Sequence, residues 1–224
     1  MQVIAHIHTD FNEKFGIPRQ SGLVKNATGV ITFEPEYRAV EAFRGLEGYS
    51  HIWLLWEFSE AKRERWSATV KPPRLGGNTR MGVFATRSPF RPNPIGLSSV
   101  KLEKIDLNTE QGPMLYVSGV DLLDGTPILD IKPYLPYTDS HPEAMAGFAG
   151  DVLDYRLQVV FPEALLQQLP ASKREVAVEL LAQDPRPSYQ NDATRKYGMA
   201  FSGFDIRFYV DGEVLTVCEI EKLK

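Results

Sequence analysis

Seven short stretches in the first part of the chain carry the pattern of β-strands, and this series constrains the fold more than any other feature. The stretches carry β-branched and aromatic residues in alternating or continuous apolar patterns, and glycine, proline and asparagine residues separate them. The predicted strands cover 2–8, 29–34, 50–58, 81–86, 97–105, 113–120 and 126–131. No β-α-β alternation is visible among them, so an antiparallel sheet that curls into a barrel is favoured. One short helix is predicted at 35–44, with Pro35 in its first turn.

The chain divides into two predicted domains. A run rich in proline, glycine and small residues extends over 132–150 and indicates a connection between them. We predict a barrel domain at 1–138, a linker at 139–150 and a small domain at 151–224. The expected fold class is mainly β, with an antiparallel β-barrel main domain and a small mixed α/β C-terminal domain.

Beyond the linker, strand and helix patterns alternate over a short distance. The sequence predicts a strand at 151–160 and helices at 162–169 and 173–183. Ser172 and Glu175 have the spacing of a capping box, in which the hydroxyl and the carboxylate each accept a hydrogen bond from an amide at the helix start. The second helix is therefore expected to begin at 173.

The end of the chain predicts a β-hairpin. Two strand patterns, 203–210 and 213–220, flank the dipeptide Asp211-Gly212. Because Asp-Gly tolerates the two positive φ angles of a type I′ turn, we expect that turn to join the two strands.

Charge is unevenly distributed along this acidic chain. The net charge is −4, yet the segment from Arg65 to Lys101 holds seven basic residues and no acidic one. Five prolines and the pair Gly76-Gly77 favour rigid, extended loops within it. Arginines on rigid loops lose less entropy when they bind phosphate or carboxylate oxygens, so the segment predicts an anion-binding surface. The alternative is that prolines and glycines merely shape the corners of the barrel.

Several common cofactor and catalytic signatures are absent from the sequence. It contains no G-x-G pair, no P-loop, no G-x-S-x-G and no H-E-x-x-H. The single cysteine, Cys218, excludes intrachain disulfides and four-cysteine zinc sites. His6 and His8 share one face of the first strand, but a pair without a third ligand favours a structural role, so no metal site is predicted.

We expect a cytoplasmic protein. The densest apolar run, 52–56, is far shorter than the ~18–20 residues that a membrane-spanning helix needs. The opening residues lack the basic start and continuous apolar segment of a secretory peptide. The sparing use of cysteine fits a reducing compartment.

Two further segments are rigid, polar and turn-forming. The first, 17–23, combines Pro18 with the side-chain donors of Arg19 and Gln20. The second, 121–134, contains the tight turn Asp124-Gly125-Thr126-Pro127. An Asp-Gly turn is by itself an ordinary hairpin connection, so its meaning depends on what surrounds it.

Four segments together resemble the TrmO family of tRNA methyltransferases, also called TsaA-like or YaeB: PRQSGLVK, VKPPRLGGNTRMGVFATRSPFRPNPIGLS, DLLDGTPILDIKPYLPY and LAQDPRPSY. The resemblance implies an S-adenosylmethionine-dependent enzyme that is built on a β-barrel and acts as a homodimer. It implies methylation of N6 of N6-threonylcarbamoyladenosine at position 37 of tRNA. The implied partner is therefore the tRNA anticodon loop, and neither DNA nor a membrane.

The resemblance also implies individual site residues. Those assigned to S-adenosylmethionine are Pro18, Arg19, Gln20, Ser59, Glu60, Arg87, Leu97, Asp124, Gly125, Thr126 and Pro127. At Ser59 and Glu60 the chain departs from the His-Gln of family members. Because the threonyl group of the implied substrate carries a negative carboxylate, we expect Arg74, Arg80 or Arg91 to bind that carboxylate or nearby phosphates. The catalytic residue remains open, and candidates for a base that removes the N6 proton are Asp124, Asp130 and Asp184.

Two other functions remain open from the residues alone. Small barrels with arginine-bearing loops bind RNA without any chemistry, so a non-enzymatic RNA-binding protein is one alternative. A phosphoesterase whose aspartates hold a metal ion is the other.

Overall fold

The computed structural model describes residues 1–61, 65–75, 78–152, 155–186, 190 and 192–223, except for the side chains of 74, 151 and 152. Six strands close into an antiparallel barrel in the order β1-β2-β7-β6-β3-β8, with β8 pairing back to β1. Their bounds are β1 Ala5–Thr9, β2 Thr28–Phe33, β3 His51–Glu57, β6 Ile95–Asp106, β7 Met114–Ser118 and β8 Thr126–Pro133. The predicted barrel is confirmed.

A small hairpin lies outside the barrel, between β3 and β6 in the chain. Its strands, β4 Thr69–Val70 and β5 Met81–Gly82, pair with each other and form a separate two-stranded sheet. The strand predicted at 81–86 is therefore wrong beyond Gly82, because a 3₁₀ turn at Val83–Ala85 follows. β4 offers two residues for pairing, and Val83 turns inward and is buried.

The helix predicted at 35–44 is also wrong. The chain forms separate 3₁₀ turns at Pro35–Tyr37 and Val40–Phe43, and the backbone at Ala39 between them is extended. Within these turns Phe43 alone is buried. With one buried side chain in these turns, packing against the barrel does little to stabilise a continuous helix.

The C-terminal part forms a four-stranded mixed sheet in the order β10-β11-β12-β9, with β9 parallel to β12. Its strands are β9 Gln158–Val160, β10 Tyr197–Phe201, β11 Phe204–Asp211 and β12 Val214–Lys222. The helices are α1 Pro136–Asp139, α2 Glu163–Leu166 and α3 Ala171–Ala182. The mixed character expected for this part is confirmed. No helix among the described residues is both long enough and apolar enough to cross a bilayer.

The strand predicted at 151–160 is shorter in the structure, because three residues of β9 pair with β12 and a 3₁₀ turn at Gly147–Val152 occupies its beginning. Residues 153 and 154 of that prediction lie outside the described part of the chain. The helix predicted at 162–169 has its α-helical part at α2.

The capping box is wrong. The helix α3 begins at Ala171, before Ser172, and Pro170 occupies the N-cap position without a side-chain hydrogen bond. Ser172 therefore lies within the helix instead of capping it. The backbone N–H of Lys173 donates to the carbonyl of Pro170, so the rigid proline sets the first turn.

The closing hairpin is confirmed, but its turn differs from the predicted one. Asp211 pairs with Val214, so the loop residues are Gly212 and Glu213, and Asp211 does not have a positive φ. A loop with two positive φ angles occurs instead at Ser202 and Gly203, where it joins β10 to β11. The sequence pattern did not predict β10.

One continuous apolar core runs from the barrel into the C-terminal sheet. Inward-facing residues of the barrel, such as Ile7 and Leu54, are fully buried. The ring centroids of Phe11 and Phe201 lie 6.0 Å apart where the two parts meet. This shared core holds the C-terminal part against the segment that follows β1, which contributes to the site described next.

Candidate active site

A cavity of about 680 Å³ opens at the end of the barrel where β3 ends and where β6 and β8 begin. Because neighbouring strands run antiparallel, these three strand ends lie at the same edge. The loops 17–20 and 86–91 form two further parts of the wall, and residues 58–61 and Asp121 also line it. The volume lies within the ~300–1,000 Å³ that small-molecule sites usually occupy.

Two arginines from distant parts of the chain meet in the wall. The guanidinium of Arg87 donates to the Gln20 side-chain oxygen, so the loops 17–20 and 86–91 are joined directly. Arg19 Nη2 donates to the carbonyl oxygens of Asp184 and Arg186 at 2.7 and 3.4 Å. A turn of the C-terminal part therefore fixes the guanidinium of Arg19 beside the cavity.

A hydrogen-bonded series crosses the inner wall. Trp56 Nε1 donates to Ser98 Oγ at 3.0 Å, and the Ser98 hydroxyl donates to Asp121 Oδ1 at 2.6 Å. Trp56 packs on Phe58 with ring centroids 4.2 Å apart, and both rings face the cavity. Strand pairing explains this arrangement, because Trp56 lies opposite Gly96 and the absent side chain leaves room for the indole.

The carboxyl group of Asp121 is electrostatically unusual. Burial raises its pKa to about 6. The hydrogen bond from Ser98, the backbone N–H of Ser21 and the positive charge of Arg87 act in the opposite direction and favour a lower pKa. Asp121 thus places a carboxyl group that titrates near neutral pH in the wall of an aromatic cavity. Perturbed groups of this kind concentrate at functional sites.

The residues of the wall fit S-adenosylmethionine chemically. The guanidinium groups of Arg19 and Arg87 match a methionine carboxylate, and the carboxylate of Glu57 matches an ammonium group or a ribose diol. The apolar walls suit an adenine ring.

Most of the predicted cofactor residues come together in this one cavity. Eight of the eleven line it: Pro18, Arg19, Gln20, Ser59, Glu60, Arg87, Leu97 and Thr126. Glu60 also pairs with Lys14, whose Nζ lies 3.2 Å from Glu60 Oε2. Their contacts with a cofactor remain a prediction.

Asp124 and Gly125 lie on the turn before β8 and Pro127 lies within β8, all three outside the described cavity wall. The carboxylate of Asp124 accepts a hydrogen bond from the backbone N–H of Thr9 at 3.0 Å and lies 3.5 Å from His8 Nδ1. The backbone N–H of Gly125 donates to the carbonyl of Ile7 at 2.9 Å, and Pro127 is buried opposite His6. These hydrogen bonds hold the turn against β1 and thereby support Thr126 in the cavity wall.

The three arginines assigned to the substrate occupy different environments. Arg91 lines the cavity, and its Nη1 donates to the carbonyl of Thr86 at 3.0 Å. Arg80 is exposed on the outer hairpin, where it donates to Thr69 Oγ1 at 2.6 Å. The side chain of Arg74 lies outside the described part of the structure, as do Gly76 and Gly77.

The three candidate bases are engaged away from the described cavity wall. Asp124 is held by Thr9, Asp130 pairs with Lys132 at 2.9 Å, and Asp184 pairs with Arg186 at 2.9 Å. The aspartate that lines the cavity is Asp121, which sequence reasoning missed. The sequence signal for Asp121 is weak, because Asp121 begins a loop in which the Asp124-Gly125 turn is the more recognisable feature.

Among the described residues, no group of three or more His, Cys, Asp or Glu side chains is placed so that it could bind a metal ion. His6 lies 3.0 Å from Glu34, and His8 contacts Asp124 and Thr32.

Comparison with known proteins gives the family. A model of the tRNA-methyltransferase O N-terminal domain matches residues 6–140, and a model of the TrmO C-terminal domain matches residues 154–223. The chain belongs to the TrmO family. It is 42% identical to a tRNA (adenine(37)-N6)-methyltransferase of Escherichia coli, over 97% of this chain and 96% of the relative.

Other TrmO relatives agree along the chain's length. The chain is 42% identical to a putative S-adenosylmethionine-dependent methyltransferase, RcsF, of Pseudomonas aeruginosa, over 92% of this chain and 90% of that protein. A crystal structure of TrmO from Pseudomonas aeruginosa matches with a TM-score of 0.76 at 36% identity, over 99% of this chain and 98% of that one. The predicted family and barrel fold are thereby confirmed.

Proposed function

We propose that this protein is a tRNA (adenine(37)-N6)-methyltransferase that takes its methyl group from S-adenosylmethionine and accepts N6-threonylcarbamoyladenosine as its substrate base. The observation that carries the proposal is the single cavity in which residues from distant segments, Arg19, Arg87 and Asp121 among them, meet beside aromatic walls. Full-length similarity to TrmO proteins supports the same activity.

In the proposed cofactor site, charged and aromatic side chains bind different parts of S-adenosylmethionine. Arg19 and Arg87 bind the carboxylate of the methionine part, and the rings of Trp56, Phe58 and Phe90 contact the adenine. When bound, S-adenosylmethionine supplies an electrophilic methyl group on a positively charged sulfur. The chain's own contribution is alignment, and holding reactants in line can supply ~7–11 kcal/mol of a barrier.

Asp121 is the proposed proton acceptor. The N6 nitrogen of a carbamoylated adenine is urea-like and weakly nucleophilic, because its lone pair is delocalised toward the carbonyl. A carboxylate that removes its proton as the methyl group is transferred would raise its reactivity. Asp121 lies in the cavity wall, and the Ser98 hydroxyl holds its Oδ1, so the group is both positioned and able to titrate near neutral pH.

The threonyl carboxylate of the proposed substrate requires a cation of its own. Arg91 lines the cavity on the same loop as Arg87 and meets this demand. Arg80 and Arg74 belong to the outer part of the basic segment, and we assign them to tRNA phosphates.

The remaining assignments concern the whole protein. We propose a cytoplasmic homodimer with tRNA as partner, in which residues 1–138 hold the cofactor site and residues 151–224 complete the tRNA or dimer surface across a linker at 139–150. A barrel that binds RNA without chemistry is the alternative, and the exposed cations Arg65, Lys71 and Arg80 are compatible with it.

Two measurements test the proposal. Titration calorimetry with S-adenosylmethionine separates an enzyme of this type from an RNA-binding barrel and from a phosphoesterase, because neither alternative predicts saturable binding. Mass spectrometry of position 37 is then performed on tRNA from a deletion strain, with and without this protein. Restoration of the methyl group on N6-threonylcarbamoyladenosine is the expected result. Methylation of unmodified adenosine instead would contradict the substrate, and no methylation would contradict the activity.

A further inference from the structure

The hairpin outside the barrel brings two large aromatic side chains together at the surface. Trp66 precedes β4 and Phe84 follows β5, and the backbone N–H of Val83 donates to the carbonyl of Ala68 at 2.9 Å. The strands therefore align the two rings, whose centroids lie 6.3 Å apart at an interplanar angle of 28°.

Both rings remain largely in solvent. Trp66 is 53% exposed and Phe84 is 74% exposed. Burial of such side chains usually contributes strongly to folding, so a contiguous pair left outside the core indicates a surface that contacts another molecule.

The charge around the pair selects the kind of partner. Arg65, Lys71 and Arg80 are exposed on the same hairpin, and no acidic residue occurs between Arg65 and Lys101. Two copies of this hairpin placed against each other would bring like charges together. A single-stranded RNA loop supplies both phosphates for the cations and unpaired base faces for the rings.

The hairpin also leads directly into the candidate active site. The 3₁₀ turn at Val83–Ala85 carries Phe84 and is followed by Thr86 and Arg87, which line the cavity. A nucleotide stacked on the rings would lie beside one whose base enters the cavity.

We propose that Trp66 and Phe84 form a stacking surface for an unpaired base of the tRNA anticodon loop, next to the nucleotide that is methylated. The identity of the ligand, the tRNA anticodon loop, rests on the proposed function. Its existence as a binding surface for single-stranded RNA stands on the exposure of the rings and on the charge of the hairpin.

The test compares the full-length protein with the single variants Trp66→Ala and Phe84→Ala and with the double variant. Tyr49→Ala is the matched control, because Tyr49 is an exposed aromatic residue away from the hairpin. We measure KM for tRNA, the dissociation constant of S-adenosylmethionine, and the oligomeric state by sedimentation. We expect KM for tRNA to rise roughly 10- to 100-fold in the double variant, while S-adenosylmethionine binding and the oligomeric state stay unchanged.

Direct RNA binding keeps the test independent of methyl transfer. An RNA hairpin with a seven-nucleotide loop is compared with a fully paired duplex of the same strand length, using the wild-type protein and the double variant. The proposal expects the double variant to lose binding to the looped RNA selectively. Unchanged binding overturns it, as does equal loss of duplex binding, or a change of oligomeric state with KM unchanged. If the wild-type protein binds the looped RNA but transfers no methyl group to tRNA, the proposed function is contradicted and the proposed stacking surface is not.

Discussion

At the scale of single residues, the position of one carboxyl group distinguishes this cavity from an ordinary ligand site. Asp121 lies between the Ser98 hydroxyl and the charge of Arg87, and its pKa is raised to about 6 by burial. Near neutral pH it is largely ionised and can accept a proton. A carboxyl on an exposed turn, such as Asp124, has no comparable burial.

Asp121→Asn should lower kcat about 100- to 10,000-fold, the range typical of a lost general base. The dissociation constants of S-adenosylmethionine and tRNA should change little, since asparagine keeps an oxygen to accept the Ser98 hydrogen bond. In the wild type, kcat/KM should rise with pH through about 6, and this rise should disappear in the variant. Asp106→Asn, at a carboxylate that pairs with Lys104, is the control. An unchanged pH profile would rule out the role of proton acceptor.

The same group makes a prediction about stability. Its folded-state pKa of about 6 exceeds the ordinary aspartate value of 3.8, so the folded protein binds more protons between these values. The free energy of unfolding should therefore fall as pH rises from about 4 to about 6, by up to about 3 kcal/mol from this group. Denaturant titrations of Asp121→Asn should lack this contribution.

Arg91 is the second residue whose role can be separated. It lines the cavity and also donates to the Thr86 carbonyl, so it both presents a cation and holds the loop of Arg87. Arg91→Ala should weaken binding of tRNA carrying the threonylcarbamoyl group roughly 10- to 100-fold, with a smaller effect on binding of unmodified tRNA. Arg174→Ala is the matched control, because Arg174 holds the Leu169 carbonyl at 3.0 Å outside the described cavity wall. Equal losses for both tRNAs would contradict the carboxylate assignment.

At the scale of elements, the pairing of β3 with β6 builds the inner wall of the cavity. Trp56 lies opposite Gly96, and Leu54 lies opposite Ser98. The indole covers the glycine, and its N–H reaches Ser98. One missing side chain on β6 thus determines where the aromatic wall lies.

Gly96→Ala should disturb this wall, because the added Cβ would lie 2.2 Å from Trp56 Cε2. The indole must move, which should cost about 1–3 kcal/mol of stability and weaken S-adenosylmethionine binding. Gly48→Ala is the control, since a Cβ there would meet no atom within 4 Å. Thermal unfolding and calorimetry measure the two effects, and a variant with wild-type cofactor affinity would show that Trp56 does not shape the site.

At the scale of the whole molecule, the C-terminal part reaches the candidate active site through one turn. Arg186 and Asp184 form a buried pair, with their side chains 6% and 10% exposed. The backbone carbonyls of the same two residues accept hydrogen bonds from Arg19. The position of a barrel arginine therefore depends on a segment that lies 165 residues away in the chain.

Arg186→Ala should destabilise the protein by about 3–5 kcal/mol, because the buried Asp184 carboxylate loses its partner. The double variant with Asp184→Asn should recover part of this stability, yet both should bind S-adenosylmethionine more weakly because the turn no longer holds Arg19. Lys173→Ala breaks a different contact between the two parts, the 2.5 Å pair with Asp10, and should leave cofactor affinity unchanged. Wild-type affinity for S-adenosylmethionine in the double variant would show that the turn of the C-terminal part does not position Arg19 for cofactor binding.

Local sequence patterns determined the elements that depend on near neighbours. Apolar patterns separated by glycine and proline predicted all six barrel strands and the closing hairpin, and the run from Arg65 to Lys101 predicted the basic loops. Where packing outweighs local preference, the patterns failed. The turns of the segment 35–44 bury one side chain, Phe43, and Pro170 starts α3 before Ser172 can cap it.

The tertiary structure decided which of these residues act together. Strand pairing and the docked C-terminal turn bring Arg19, Arg87 and Asp121 to one cavity, and no spacing in the chain encodes that meeting. The burial that raises the pKa of Asp121, and the exposure that leaves Trp66 and Phe84 in solvent, are likewise properties of surroundings built from distant segments. A sequence specifies such surroundings through the complete fold, because distance and solvent access depend on every element that packs nearby.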